Sequence, residues 1–149
     1  MILTLDIVTT MCIGLLIGTE FAVSAFVNPI LWKLDESAQS QAVSLFARKL
    51  GAVMPFWYGA SFLLLVAEAA IRWRTGGAAL ICAAAGLWAA AIILSLAVLV
   101  PINNRLARLD GLSFAATARR EHRRWDTIHR IRVMELSAAM VCFLIAVYR

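Results

Sequence analysis

Two short stretches, VPINNRL at residues 100–106 and WDTIHRIR at residues 125–132, decide how this sequence folds. Long apolar segments lie on both sides of this region, so it marks where one hydrophobic segment ends and the next begins. The few side chains able to take part in chemistry are concentrated in or near it. We therefore predict that these stretches lie at the mouth of a membrane-embedded helical bundle, with a polar site just inside the mouth.

The composition of the whole chain favours lipid as its main solvent. Of its 149 residues, 62% are hydrophobic and only 15% are charged, whereas soluble domains carry about 25% charged residues. The mean hydropathy is +0.83. Because each spanning helix needs roughly 20 apolar residues, we predict one all-α domain over residues 1–149. Its expected architecture is an integral membrane four-helix bundle with amphipathic connecting helices.

The predicted spans lie at about residues 5–34, 51–71, 76–100 and 128–148. Pro29 is expected to kink or end the first span, and Pro101 to end the third. Residues 35–50 are predicted to form an amphipathic lead-in to the second span, and residues 113–124 a basic surface helix before the fourth. The aromatic residues 56–58 are expected to form an interfacial girdle. The first span is too long for a signal peptide and has no basic region before it, so we expect it to be retained.

The basic residues are unevenly divided between the two sides of the predicted bundle. Four spans place both termini on one side, which carries only Arg72, Arg74 and Arg149. The other side carries the remaining lysines and arginines, which are Lys33, Arg48, Lys49, Arg105, Arg108, Arg119, Arg120, Arg123, Arg124, Arg130 and Arg132. The positive-inside rule makes that side cytoplasmic, so we predict a multi-pass protein of the bacterial inner membrane with both termini outside. The net charge of +5 is thus a topology signal, and no nucleic-acid partner is expected.

The strongest candidate site lies at the start of the fourth span. Trp125, His129 and Arg132 are spaced i, i+4 and i+7, so a helix carries them on one face. A histidine has an ordinary pKa of about 6.5, which suits a general base near neutrality. An arginine supplies a permanent forked cation for a carboxylate or an oxyanion. The alternative is that Arg132 reaches lipid headgroups and His129 makes a buried polar contact.

Other polar residues are expected at the same end of the bundle. Asn103 and Asn104 follow Pro101, and Asn28 precedes Pro29. Their amides supply donors and acceptors to a site, or alternatively form polar ends of the spans. Glu20 lies deeper in the first span, where it either pairs with Arg132, orients His129, or remains a protonated acid without a role.

The remaining candidates are weaker. Glu68 and Arg72 have the spacing of a surface ion pair at the opposite end. His122, Asp126 and His129 have a helical spacing that could converge on a metal, but no HExxH or CxxC motif accompanies them, and we predict no metal site. Three isolated cysteines are expected as small buried hydrophobes without disulfides; they are Cys12, Cys82 and Cys142.

A face of small residues in the first span is the predicted contact with a second copy of the chain. Gly14, Gly18 and Ala22 are four residues apart, so they share one side of a helix. Small residues let two membrane helices approach closely. We therefore expect the Gly14/Gly18 face to support a homo-oligomer. Membrane lipid and a small hydrophobic substrate are the other expected partners.

The chain resembles the anthrone oxygenase-like family of small four-span membrane proteins, most of whose bacterial members have no assigned function. The resemblance covers nearly the whole chain. It rests on FVNPIL at residues 26–31, VPINNRL at residues 100–106, and the pattern W-x3-H-x2-R of Trp125, His129 and Arg132. Fungal members of this kind oxidise an anthrone to an anthraquinone with dioxygen, without metal, flavin or haem.

The resemblance implies a role for each candidate residue. His129 is the expected base, and Arg132, Asn103 and Asn104 are expected to stabilise the developing oxyanion. The expected substrate-binding residues are Trp125, Asn28 and Glu20, and no cofactor is expected. We therefore predict a small hydrophobic-ligand site that serves a cofactor-independent oxygenase acting on an acidic aromatic or quinol-like substrate. The alternative is a non-catalytic membrane subunit or small carrier that associates with a partner membrane protein.

Overall fold

The computed structural model describes residues 2–108 and 116–148, which form four helices and contain no strand. Helix α1 is Ile2–Leu31, α2 is Glu36–Ile71 and α3 is Ala78–Leu106, and α4 is Ala116–Val147. Sequential helices are antiparallel neighbours, and α4 packs against both α3 and α1, which closes the bundle. The predicted all-α four-helix architecture is confirmed.

The outer surface of the bundle is that of a membrane protein. By length and composition, α1, α2 and α3 are each able to cross a membrane. Helix α4 is 32 residues long, begins with a basic segment, and packs most extensively along α3. Large apolar side chains such as Phe56 and Leu63 point outward, as the lipid-facing surface of such a bundle requires.

Two apolar clusters hold the helices together. The larger one fills the middle of the bundle around Trp88 and Phe143, both fully buried. The smaller one includes Leu31, Val43 and Leu106. It lies where α1 and α3 end and α2 and α4 begin, and we call this the basic end of the bundle. The polar residues predicted to form a site lie between the two clusters or beside the smaller one.

Each of α1 and α3 contains one π-helical segment close to its proline. The segments are Val23–Val27, before Pro29, and Ser95–Leu99, before Pro101. The prediction that Pro101 ends its helix is wrong, because α3 continues to Leu106. Proline lies in the first turn of the α-helical segment after each π turn, where its missing N–H is tolerated. Each helix therefore changes register instead of stopping.

The predicted amphipathic connecting helices are continuous with the spans that follow them. Helix α2 begins at Glu36, capped by the Asp35 carboxylate, and runs through Pro55 without a break. Its first turns are stabilised because Val43 is part of the smaller apolar cluster. Helix α4 likewise runs unbroken from Ala116, and residues 113–115 lie outside the described part of the chain. The predicted lead-in is thus helical and forms the first turns of α2, and the described part of the predicted basic helix forms the first turns of α4.

Two further expectations need correction. Phe56 is exposed and Trp57 half-buried, but Tyr58 is only 6% exposed, so it belongs to the interior and not to an interfacial girdle. Glu68 is fully buried and also accepts a hydrogen bond from Thr9. Its ion pair with Arg72 is present, but it is a buried pair and not the predicted surface pair.

The two glycines of the predicted oligomer face have different surroundings. A Cβ atom at Gly14 would lie 3.5 Å from the Met140 side chain of α4. Gly18 is exposed, and a Cβ atom there would meet nothing within 4 Å. Part of this face is therefore used for helix packing within the chain, and Gly18 lies on the outer surface.

Candidate active site in the bundle interior

A cavity of about 400 Å³ lies between the helices at the level of the two π-helical segments. Its volume falls within the roughly 300–1,000 Å³ range of small-molecule sites. All four helices contribute to its wall, and most of the lining is apolar. The polar and aromatic lining residues are Thr19, Glu20, Tyr58, Ser95, Asn103, Asn104, Trp125, His129 and Arg132.

The carboxylate of Glu20 is the centre of a buried polar cluster on this wall. Its Oε2 accepts a hydrogen bond from Arg132 Nη2 at 2.5 Å and lies 3.0 Å from His129 Nδ1. Its Oε1 accepts a hydrogen bond from the Tyr58 hydroxyl at 3.1 Å. Helices α1, α2 and α4 thus meet at one carboxylate. The sequence left open whether Glu20 pairs with Arg132 or contacts His129, and the structure contains both contacts.

Arg132 extends the cluster to α3. Its Nη1 donates to Ser95 Oγ at 2.9 Å, and Ser95 in turn donates to the Ala91 carbonyl at 2.7 Å. The guanidinium carbon also lies 5.3 Å from the centre of the Tyr58 ring, which is the geometry of a cation–π contact. Arg132 points into the bundle and not towards lipid headgroups, so that alternative is excluded.

Both ring nitrogens of His129 have partners within the protein. Nε2 lies 3.1 Å from the backbone carbonyl oxygen of Glu20. Because a carbonyl oxygen only accepts hydrogen bonds, Nε2 carries the N–H in this contact. Nδ1 lies 3.0 Å from Arg132 Nη2 as well as from the Glu20 carboxylate. The ring is stacked on Trp125 at 4.5 Å between centroids. The imidazole is therefore fixed in orientation by contacts on both edges and on one face.

The cluster is almost completely shielded from solvent and lipid. The exposed fractions are 3% for Glu20, 1% for His129 and 8% for Arg132. A single charge buried in this way is costly, but a carboxylate and a guanidinium in direct contact compensate each other. The arrangement therefore places a compensated pair of charges, with an imidazole beside it, on the wall of an apolar cavity.

The three asparagines differ in their positions. Asn103 and Asn104 line the cavity, and Asn103 Nδ2 donates to the Ala47 carbonyl of α2 at 2.9 Å. Asn28 lies outside this cavity, and its amide donates to Asp126 Oδ1 of α4 at 2.6 Å. Asn28 instead lines a neighbouring cavity of about 30 Å³, which has room for about one water molecule.

His122 lies beside this second cavity, near the basic end and outside the predicted fourth span. It stacks on Trp32 at 4.6 Å between centroids and is 2% exposed. Burial lowers the pKa of His122 below its ordinary value, while the nearby Asp126 carboxylate opposes this shift. Within residues 2–108 and 116–148, no three His, Cys, Asp or Glu side chains converge as metal ligands.

Two members of the cluster were not singled out as site residues by the sequence. Tyr58 was assigned to an aromatic girdle, because three adjacent aromatics near a span entry are typical of an interface. Ser95 shares a seven- or eight-residue spacing with Trp88 and Asn103. That spacing indicates a common helix face, but it does not show which helix the face meets.

The comparisons with known proteins agree with this architecture. Residues 42–142, more than half of the chain, match the family model described as anthrone oxygenase. The matched segment includes Tyr58, Ser95, His129 and Arg132, whereas Glu20 precedes it. Neither the curated proteins nor the solved structures give a match. This chain, with its four-helix membrane architecture, belongs to the anthrone oxygenase family.

Proposed function

We propose that this protein is a membrane-embedded oxygenase that oxidises an acidic aromatic substrate, of the anthrone or quinol type, with dioxygen and without a bound cofactor. The single observation that carries the proposal is the buried Glu20–His129–Arg132 cluster on the wall of a 400 Å³ apolar cavity. Family membership supplies the reaction class. A flat aromatic molecule suits the cavity because most of its lining is apolar.

The reaction needs little from the protein beyond a base, an anion site and a dry pocket. The methylene carbon of an anthrone is bonded to two aryl rings and lies opposite the carbonyl in the central ring. Its C–H bond is therefore unusually acidic. Loss of one proton gives an electron-rich enolate that reacts with dioxygen. One oxygen atom becomes the new carbonyl, and the other leaves as water with the two methylene hydrogens. The substrate itself is the reductant, so the stoichiometry closes without a cofactor.

His129 is the proposed base in this scheme. Because both ring nitrogens have partners, substrate binding must open the Nε2 contact with the Glu20 backbone carbonyl. The ring proton must then lie on Nδ1, where it is donated to the Glu20 carboxylate, so that Nε2 is free to accept the substrate proton. Catalytic contacts often differ between free and substrate-bound enzymes. Nδ1 then remains hydrogen-bonded to the Glu20 carboxylate, which stabilises the imidazolium that forms.

Arg132 is the proposed anion-stabilising group, because its charge is permanent and lies in a low-dielectric wall. Asn103 and Asn104 are the proposed additional donors, at the end of the cavity nearest the basic end. Trp125 provides a flat wall beside the base. Asn28 does not line this cavity, so we assign it the indirect role of positioning α4 through Asp126.

Oxygen uptake by the purified protein in lipid nanodiscs tests this proposal. With a hydroxyanthrone as substrate, we expect one dioxygen consumed for each anthraquinone formed, unaffected by a chelator. His129→Gln should lower the rate by about 10²–10⁴-fold, the usual contribution of a general base. Arg124→Gln is the matched control, because Arg124 is exposed on the same helix. Absence of oxygen-dependent turnover, or full turnover by His129→Gln, contradicts the proposal.

We also propose that the basic end of the bundle faces the cytoplasm of a bacterium and that both termini lie outside, because the positive-inside rule assigns the side rich in lysine and arginine to the cytoplasm. Reporter fusions at the two termini test this orientation. Activity of a periplasm-specific reporter supports it, and activity of a cytoplasm-specific reporter at both termini contradicts it.

The second candidate function is a non-catalytic subunit, and one observation favours it. Gly18 is exposed in the middle of an apolar helix, with open space in front of it, which suits close approach by another helix. The mass of the particle in detergent tests this. A dimer that Gly18→Leu converts to a monomer, together with no oxygen-dependent turnover, supports this candidate. A monomeric wild type contradicts self-association through Gly18.

A further inference from the structure

The cavity has a lateral opening between α2 and α3. Helix α2 packs against α3 before and after the π-helical segment Ser95–Leu99, but hardly contacts the segment itself. The two helices therefore separate at the level of the polar cluster. Leu96 lies in this gap, lines the cavity, and is nonetheless 63% exposed. Leu96 therefore lies at the boundary between the cavity and the outer surface.

The α2 side of this opening has little side-chain bulk. Pro55 and Gly59 line the cavity, and Pro55 is exposed. At Gly51, one turn earlier, α2 closes against α3, because a Cβ atom there would lie 2.9 Å from Asn103 Nδ2. A Cβ atom at Gly59 would meet nothing within 4 Å. The outer surface at this opening is the apolar surface of spanning helices, so the opening faces acyl chains and not water.

The cavity thus offers a cation at Arg132, polar side chains at Asn103 and Asn104, and an apolar exit past Leu96.

From these features we infer that the physiological ligand is a membrane-resident hydroxylated aromatic, of the anthrone or quinol type proposed above, with a long apolar tail. Its ring and hydroxyl occupy the cavity beside Arg132, and its tail leaves between α2 and α3 into the bilayer. The inference rests on the proposed function, because it names the substrate class of the same site. It adds that the substrate reaches the site sideways from the lipid, so a tail larger than the cavity is no obstacle to binding.

Binding of two radiolabelled phenols tests the inference without any need for turnover. The probes are para-methylphenol, which fits inside the cavity, and para-dodecylphenol, whose tail does not. Dissociation constants are measured in nanodiscs as mole fractions in the lipid, with empty nanodiscs subtracted. The wild-type protein should bind both probes, because the tail of the larger one passes through the opening.

Two substitutions on α3 provide the matched comparison. Leu96 lines the opening, whereas Ile93, one turn away and 66% exposed, does not line the cavity. Leu96→Trp should weaken binding of para-dodecylphenol by about tenfold, since crowding a packed site costs about 1–3 kcal/mol. It should weaken para-methylphenol binding much less than para-dodecylphenol binding, and Ile93→Trp should leave the ratio of the two dissociation constants at its wild-type value.

The outcomes separate the inference from the proposed function. If para-methylphenol binds and para-dodecylphenol does not, the lateral opening is refuted while the site itself stands. If Leu96→Trp and Ile93→Trp have equal effects on the tailed probe, the route past Leu96 is also refuted. If neither phenol binds, the proposed aromatic site fails, and the inference fails with it.

Discussion

At the scale of single residues, the contact between Glu20 and Arg132 is the interaction on which the site depends. Each charge is buried, and each is the main compensation for the other. Removing one partner of a buried pair leaves an uncompensated charge and costs about 3–5 kcal/mol. Removing both leaves no charge to compensate, so the double variant loses less than the two single variants together.

This difference can be measured by thermal unfolding in detergent. Arg132→Met and Glu20→Gln should each lower the unfolding temperature strongly, and Glu20→Gln/Arg132→Met should be more stable than the sum of the single losses predicts. Arg124→Gln provides the comparison for loss of an exposed arginine of the same helix, where little change is expected. Strictly additive losses in the double variant contradict a direct pair.

His122 provides a residue-scale prediction about pH. Burial lowers its pKa in the folded protein, so the unfolded chain binds a proton more readily than the folded one. Stability is therefore lost as pH falls through the unfolded value of about 6.5. Unfolding temperatures between pH 8 and pH 5 should fall less steeply for His122→Phe, which retains an aromatic ring beside Trp32. An unchanged slope in that variant contradicts this account of His122.

The sequence identified part of the site at this scale. Helical spacing placed Trp125, His129 and Arg132 on one face, and the cost of burying a charge marked Glu20 for a partner. Tyr58 was missed because its sequence neighbours are aromatic, and only the packing of α2 against α1 shows that its hydroxyl reaches Glu20. Contacts between helices depend on rotations about each helix axis, which a single sequence does not determine.

At the scale of helices, the beginning of α3 packs closely against the end of α4. A Cβ atom at Gly77 would lie 2.8 Å from the Ala146 backbone oxygen, whereas one at the adjacent Gly76 would meet nothing within 4 Å. Gly77→Ala should therefore be about 1–3 kcal/mol less stable than Gly76→Ala, because backbone atoms must move to admit the methyl group. Denaturant unfolding of the two variants measures this difference. Equal stabilities contradict the close approach of α3 and α4.

Element boundaries were predicted less well than element number. Hydropathy identified four apolar segments, and four helices are present in the described residues. The continuation of α3 past Pro101 was missed because a proline ordinarily ends a helix, and here a π-helical segment precedes it. The same π-helical segment lies where α3 has few contacts with α2, at the level of the cavity.

At the scale of the whole molecule, the bundle combines two environments that are usually separate. The outer surface is apolar, yet the interior holds a compensated ion pair, an imidazole and a phenol around one carboxylate. The inner and outer surfaces meet at the opening beside Leu96. A substrate that dissolves in lipid and becomes an anion only in the site suits both surfaces.

The central claim is that the cluster removes a proton from carbon and retains the resulting anion beside Arg132. Anaerobic mixing with a hydroxyanthrone isolates this step, because the reaction stops before oxygen is needed. We predict that the wild-type protein develops the red-shifted absorbance of the enolate, that His129→Gln does not, and that Arg132→Gln retains much less of it. No enolate with the wild-type protein, or the same enolate with both variants, contradicts the account.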